Sequence, residues 1–500
     1  MLFVIITAVL IAFSYEPPAQ LGRLTSAVAS VGGVLVFAAT NWLLAALAAR
    51  ITLGRLRKSL DDREKALCRF QWFRWANTVV LLAAYIGVVH GLDWPGVVRV
   101  TWRLEHWVLV DDLLVLLPFL ASVTLACLAY SRVDDFLRHR SDAAGSPTLP
   151  PMTRWGHVDF LFRYHLGFVL APLLVLVALQ DSVNLVLAGN RLRNVAEAAS
   201  SVVGLGVILV FAPALLRVLW RAEPLPDGSL RTRLETLSRR LGFRASDILV
   251  WRTNEAVINA AVAGILPRPR YVLLSDGLLK HLTDDEIEAV FGHEIGHIRH
   301  HHLWFYVGFM VGTSLFLLVS MTLVSQLILS IMGQSAAHVV RSLAEGLVLP
   351  LAGMTIYFGV FFGFLSRRFE RQADIFGCRA VSCGLATCPT EHVPPAASSS
   401  GVPIPCAAGI QTFVRALEKI AQLNGIAREM RSWRHFSIAK RVEFLEQLST
   451  RPHLERRFQV IVLLLKSLVV IGLVASAWWV WTTAGTAMQN LLAQHAGSLS

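Results

Sequence analysis

His293-Glu294-Ile295-Gly296-His297 sets two imidazoles four residues apart, with a carboxylate next to the first. On a helix, positions i and i+4 share one face and lie about 6 Å apart along the axis. Two imidazole nitrogens at that spacing can converge on one zinc ion. Glu294 then stands where a general base takes a proton from a water activated by the metal. The same carboxylate can pass that proton to the leaving amine of a peptide bond. The pattern spells metal-assisted hydrolysis of an amide.

Three more histidines follow at once: His300, His301 and His302. His300 is seven residues beyond His293, about 10 Å along a helix axis. Zinc–nitrogen bonds are about 2 Å long, so one straight helix does not bring three such groups to one ion. A catalytic zinc needs three protein ligands, and the third must come from another element. His300, His301 and His302 directly precede an apolar run and read as a polar cluster at a membrane interface.

The candidate partner is SRRFERQAD, residues 366–374, in which Glu370 and Asp374 are again i and i+4. Glu370 is the candidate third ligand, and Asp374 the candidate that orients a ligand histidine through its second nitrogen. The same segment also reads as an ordinary charged turn where a span leaves the membrane.

Several elements must position these groups. Thr283-Asp284-Asp285-Glu286 has the form of a capping box and predicts the start of the metal-bearing helix. Leu230, Leu234, Leu237 and Leu241 form a helical stripe before it. Apolar, β-branched runs at 247–251 and 256–263 predict strands. A third run, Tyr271–Leu274, ends at the turn-like Ser275-Asp276-Gly277. A Pro/Ser/Cys-rich insert at 382–408 reads as a loop, and a helix is expected at 409–424.

The chain has 500 residues, 55% hydrophobic and 16% charged, with a mean hydropathy of +0.55. That is too apolar for an ordinary soluble enzyme and predicts an integral membrane protein. Runs of spanning length lie near 28–49, 75–93, 107–130, 160–180, 199–217, 303–333, 345–366 and 459–481. The apolar stretch 1–14 is expected to be retained and is a candidate ninth span. The net charge of +12 collects in connecting segments rather than on a nucleic-acid face. Lys- and Arg-rich connections alternate with poor ones, so the positive-inside rule predicts 50–74, 131–165, 218–302 and 367–458 in the cytoplasm. Expected divisions are a multi-span region at 1–217, a first peptidase part at 218–302, a membrane hairpin at 303–366, a second part at 367–458, and a last span and tail at 459–500.

HEIGH, two spans and then SRRFERQAD resemble the membrane-embedded zinc metallopeptidases, the family of the CAAX prenyl protease and the heat-shock protease HtpX. The resemblance covers about 225–450 and implies that His293, His297 and Glu370 hold one catalytic Zn2+, with Glu294 as base. Asn259-Ala260 resembles the family's Asn-Ala motif on an active-site edge strand, where substrate backbone pairs. Arg270–Leu279 resembles the strand and turn before the zinc helix. Trp433–Arg441 resembles a His-Pro-Ser…Arg motif. It implies that His435 assists at the oxyanion and that Arg441 pairs with a carboxylate, Asp374 being the candidate. Phe436 replaces the motif's Pro, the Cys-rich insert is extra, and the N-terminal half has more spans than the site needs.

The implied fold is mainly α: a polytopic membrane protein of about eight or nine transmembrane helices with a cytoplasmic, gluzincin-like α+β zinc peptidase domain. The implied function is a zinc endopeptidase acting on polypeptide substrates at the lipid bilayer, with HtpX-like proteolysis of membrane or misfolded proteins placed ahead of CAAX-type processing. In a bacterium it would sit in the inner membrane. Two rivals are a transporter in which HEIGH is incidental and a metallopeptidase-like scaffold that does not cleave. Cys383, Cys388, His392 and Cys406 are candidates for a second, structural zinc, against reduced thiols in a loop. Asp111-Asp112 reads as an interfacial pair rather than an ion-coupling site.

Overall fold

A computed structural model describes residues 2–13, 15, 27–58, 63–140, 152–188, 193–332, 358–383, 405–430, 435–451 and 453–497. It divides into two compact units, Met1–Ala222 and Glu223–Ser500.

The first unit is built of helices: α1 (Leu2–Phe13), α2 (Ala27–Lys58), α3 (Arg63–Ile86), α4 (Val110–Arg140), α5 (Arg154–Leu161), α6 (Gly167–Val186) and α7 (Arg193–Leu219). Polar side chains join three of them. Asn77 on α3 donates to Asn41 on α2 at 3.0 Å and to the Tyr130 hydroxyl on α4 at 3.1 Å. Asn41 in turn donates to the Ser122 carbonyl at 2.8 Å. In an apolar surround such bonds fix which helix faces meet, because each group left unpaired would be costly. Asp111 and Asp112 are buried, and Arg99 pairs with both at 2.8 Å.

The second unit begins with β1 (Glu223–Pro224), α8 (Ser229–Arg240), β2 (Asp247–Trp251), β3 (Ala260–Ala263) and β4 (Tyr271–Ser275). It continues with α9 (Asp276–His281), α10 (Asp284–Arg299), α11 (His302–Met332), α12 (Gly363–Ala380), α13 (Ala407–Leu423), α14 (Ile438–Thr450) and α15 (His453–Gly497). The sheet order is β1-β2-β4-β3, with β2 and β4 parallel and the other pairs antiparallel. β3 is therefore an edge strand. Leu234 and Leu237 of α8, Ile248 and Val250 of β2, and Ile287, Phe291 and Ile295 of α10 share one core.

Six helical segments are long and apolar enough to cross a membrane among the described residues: 27–57, 65–91, 110–136, 154–186, 195–219 and 453–482. α11, 31 residues long, occupies the run expected at 303–333. Much of the 345–366 run lies outside the described residues. The candidate ninth span is a helix of 12 residues, about 18 Å long, short of a hydrocarbon core of about 30 Å. Ile5, Ala8, Val9, Ile11 and Ala12 are buried in it.

Leu463, Leu464, Leu468 and Ile471 on α15 each expose at least 60% of their surface. An apolar face of that extent suits lipid rather than water. Composition, the long apolar helices and these exposed faces together make this an integral membrane protein.

Strand β3 is shorter than the predicted run 256–263. The Asn424 side chain accepts from the Ile258 N–H at 3.2 Å and donates to the Ile258 carbonyl at 2.8 Å. Both backbone groups of Ile258 are thus held by a side chain from the end of α13, and regular pairing starts only at Ala260.

Candidate metal centre

The helix that carries His293 and His297, α10, starts as its sequence requires. The Thr283 hydroxyl accepts from the Glu286 N–H, and the Glu286 carboxylate accepts from the Thr283 N–H at 2.9 Å. A capped first turn fixes the phase of the helix and so the direction of His293 and His297. Their Nε2 atoms lie 3.3 Å apart. Two ligands of one tetrahedral zinc, each about 2.05 Å from it, would also stand about 3.3 Å apart.

Glu370 comes from α12, which packs across α10. Its Oε2 is 3.7 Å from Nε2 of His293, and its Oε1 is 3.8 Å from Nε2 of His297. The three donor atoms lie within 4.8 Å of one another. Two nitrogens and one oxygen so converged are a donor set suited to a zinc-like ion with an open position.

Glycine lets the two helices come this close. A Cβ on Gly292 would overlap the Cβ of Ala380. One on Gly296 would fall 3.1 Å from the Cα of Ala373, and one on Gly377 would fall 2.9 Å from the Ala289 carbonyl oxygen. The glycine inside HEIGH thus lies where the two helices approach tightly.

Around the donors stand the other predicted residues. Asp374 Oδ1 is 3.0 Å from Nδ1 of His293. Arg441, on α14, donates from Nε to Asp374 Oδ2 at 2.9 Å and from Nη2 to Oδ1. Nδ1 of His435 is 3.2 Å from Oε2 of Glu370, and its side chain is 41% exposed, open to an incoming molecule. Glu294 Oε2 accepts from the Val262 N–H on β3 at 3.1 Å.

The Ser275 N–H donates to the Asn259 carbonyl at 3.0 Å. By antiparallel alternation, the backbone groups of Ala260 and Val262 then face the outer edge of β3. Asn259 is exposed and Ala260 is buried.

Burial and charge divide the titrating groups. Burial pushes the Glu294 carboxyl up to about 7, although His293 and the Val262 N–H pull the other way. Glu370 is also pushed up by burial, but the His435 hydrogen bond and the charges of His297 and His435 outweigh this and hold it well below the carboxylate range. Asp374 follows the same logic: burial raises it, and Arg441 and His293 bring it below its ordinary value. Burial lowers His297 to about 4, against the pull of the Glu370 carboxylate.

Sequence reasoning missed three partners. The Val262 N–H on Glu294 is invisible without the sheet. Phe413 stacks on His293 with ring centroids 5.7 Å apart, which needs α13 in place. The third corrects an expectation. His302 is not part of an interfacial cluster: it is fully buried, with Nδ1 3.0 Å from Nδ1 of His297. The turn at His300 and His301 ends α10 and redirects the chain, bringing His302 back against the metal face. Its spacing of five from a ligand histidine was the available signal.

Cys383 and Cys406 are buried at the end of α12 and the N-cap of α13. Among the described residues no cysteine forms a disulfide. Cys388 and His392 lie outside the described residues, and the expected helix at 409–424 spans Ala407–Leu423.

Comparison with known proteins meets the same residues. Residues 224–463 match the model of Peptidase family M48. Over 105 residues the chain is 34% identical to a Protease HtpX homolog of Aeropyrum pernix, covering 20% of this chain and 32% of that protein. Over 195 residues it is 30% identical to a CAAX prenyl protease 1 homolog of Arabidopsis thaliana, covering 36% of this chain and 43% of that protein. The chain thus spans less than half the length of either relative. The crystal structure of S. mikatae Ste24p aligns over 86% of this chain and 100% of that chain, at 17% identity and a TM-score of 0.47. The segment that matches the model of Peptidase family M48, residues 224–463, is the one that holds His293, His297 and Glu370 together.

Proposed function

We propose that this protein is a zinc-dependent membrane endopeptidase. The observation that carries the reading is the place of Glu294: beside the His293–His297–Glu370 donors and hydrogen-bonded to the open edge of β3. Nε2 of His293, Nε2 of His297 and the Glu370 carboxylate would hold the ion. Zinc, when bound, supplies Lewis acidity toward water and a peptide carbonyl.

The protein's own groups do the rest. The edge of β3 pairs with an extended substrate through the outward groups of Ala260, with Asn259 as a clamp beside it. Glu294 takes the proton of the attacking water and returns it to the leaving amine. Asp374 holds Nδ1 of His293 so that Nε2 presents its lone pair, and Arg441 keeps Asp374 ionised. His435 donates toward the developing oxyanion.

The substrates we favour are membrane or misfolded proteins, in line with the HtpX-named relatives. The CAAX-named relatives make prenylated peptide processing the alternative. The Lys- and Arg-rich connections support a cytoplasmic side for the catalytic segments. One zinc per chain suffices for this reading. A second, at Cys383, Cys388, His392 and Cys406, would appear as two equivalents falling to one in Cys388→Ser.

The test is purified protein in detergent with added zinc, assayed on casein and on a prenylated peptide. Glu294→Gln should keep the metal and lose turnover. Glu370→Ala should lose the metal. Turnover retained in Glu294→Gln would overturn the mechanism, and metal bound without any turnover would favour the scaffold.

A further inference from the structure

His302 opens α11 with no exposed surface. Its ring stacks on Phe369, with centroids 4.2 Å apart and planes 5° from parallel. Nδ1 faces Nδ1 of His297 at 3.0 Å, and Nε2 faces Oε1 of Gln372 at 2.9 Å. Nζ of Lys466 on α15 lies 3.3 Å from the same Gln372 oxygen and donates to the His300 carbonyl at 2.7 Å. The Gln372 amide nitrogen donates to Gln459.

The protons along this chain have one consistent assignment. An ammonium only donates, so the Gln372 atom beside Lys466 is its oxygen. That oxygen only accepts, so His302 carries its proton on Nε2. The bare Nδ1 of His302 then accepts from the Nδ1–H of His297. The Nε2 of His297 is left without a proton, and it is the atom that points at His293 and Glu370.

We propose that His302 is a positioning residue, which fixes the tautomer and ring plane of His297 through a neutral acceptor. This rests on the zinc reading above. The other ligand histidine has a charged partner, Asp374. A second carboxylate would add an anion to a buried site that already holds Glu294, Glu370 and Asp374 against Arg441. His302 satisfies the same hydrogen bond without a further buried charge. Through Gln372 and Lys466 it also ties His297 to α12 and α15.

The test uses the full chain in detergent, stripped of metal and titrated with Zn2+ and with Co2+. His302→Phe keeps a ring against Phe369 and removes the acceptor; His302→Gln supplies an acceptor oxygen instead. His302→Phe should weaken metal binding about 10- to 100-fold. It should also alter the visible spectrum of the Co2+ form, with the metal-free protein still folded at the assay temperature. His302→Gln should recover part of the affinity. Wild-type affinity and spectrum in His302→Phe would overturn the proposal. So would equal losses in both variants accompanied by unfolding of the metal-free protein, since packing alone would then explain them. Wild type that binds neither ion would overturn the zinc reading as well. Metal binding that depends on His302 in a protein without turnover would sink only the peptidase reading.

Discussion

At the scale of single residues, three carboxylates share one buried site, and their surroundings give them different work. Glu370 is held below the carboxylate range by the His435 hydrogen bond and the imidazoles around it, and Asp374 by Arg441 and His293, whereas burial lifts Glu294 to about 7. A base works only when deprotonated, so with a raised pKa its activity is present above that value and lost as pH falls through it. A bound cation lowers that value. The acid limb of kcat/KM should therefore lie between the ordinary carboxylate range and about 7. The same limb in the residual activity of Glu294→Gln would assign it to another group.

Asp374 and Arg441 make a second prediction. Removing one partner of a buried pair leaves an uncompensated charge and costs about 3–5 kcal/mol. Arg441→Met should lose stability on that scale, and Asp374→Asn with Arg441→Met should recover part of it, as read by denaturant unfolding. An Arg441→Met variant as stable as wild type would mean the pair contributes little.

At the scale of elements, the site depends on how closely α10 and α12 approach. Gly292→Val would place a side chain where Ala380 sits, while a Cβ at Gly308 would stand 3.9 Å from Leu473 with room to spare. Gly292→Val should therefore lose metal affinity and about 1–3 kcal/mol of stability by overpacking. Gly308→Ala should change neither. Equal behaviour of the two variants in metal titration would show that helix spacing does not govern the site. The helix itself was legible, because its capping box and its i, i+4 histidines are local. The length of β3 was not, because Asn424 lies 166 residues from Ile258 in the chain.

At the scale of the whole molecule, the long apolar helices and the lipid-suited face of α15 require a bilayer or detergent. The proposed orientation is checked at Arg239, which is exposed on α8. In cells, Arg239→Cys in a background lacking Cys68 should resist a membrane-impermeant thiol reagent until the membrane is opened. Labelling in intact cells would reverse the orientation.

The sequence by itself determined what rests on short-range physics. Helix periodicity set His293 beside His297 and Glu370 beside Asp374, a cap placed the start of α10, and hydropathy marked the membrane runs. It also required a ligand from a second element, since helix rise carries His300 too far along the axis. Only the tertiary structure decided which groups hold those residues and how they titrate. Asp374 meets Arg441 across 67 residues, Glu294 meets a sheet edge across 32, and His302 is aimed by a turn to a glutamine 70 residues on. Burial and the neighbouring charges act through space, and a chain read in order has no measure of either until it is folded.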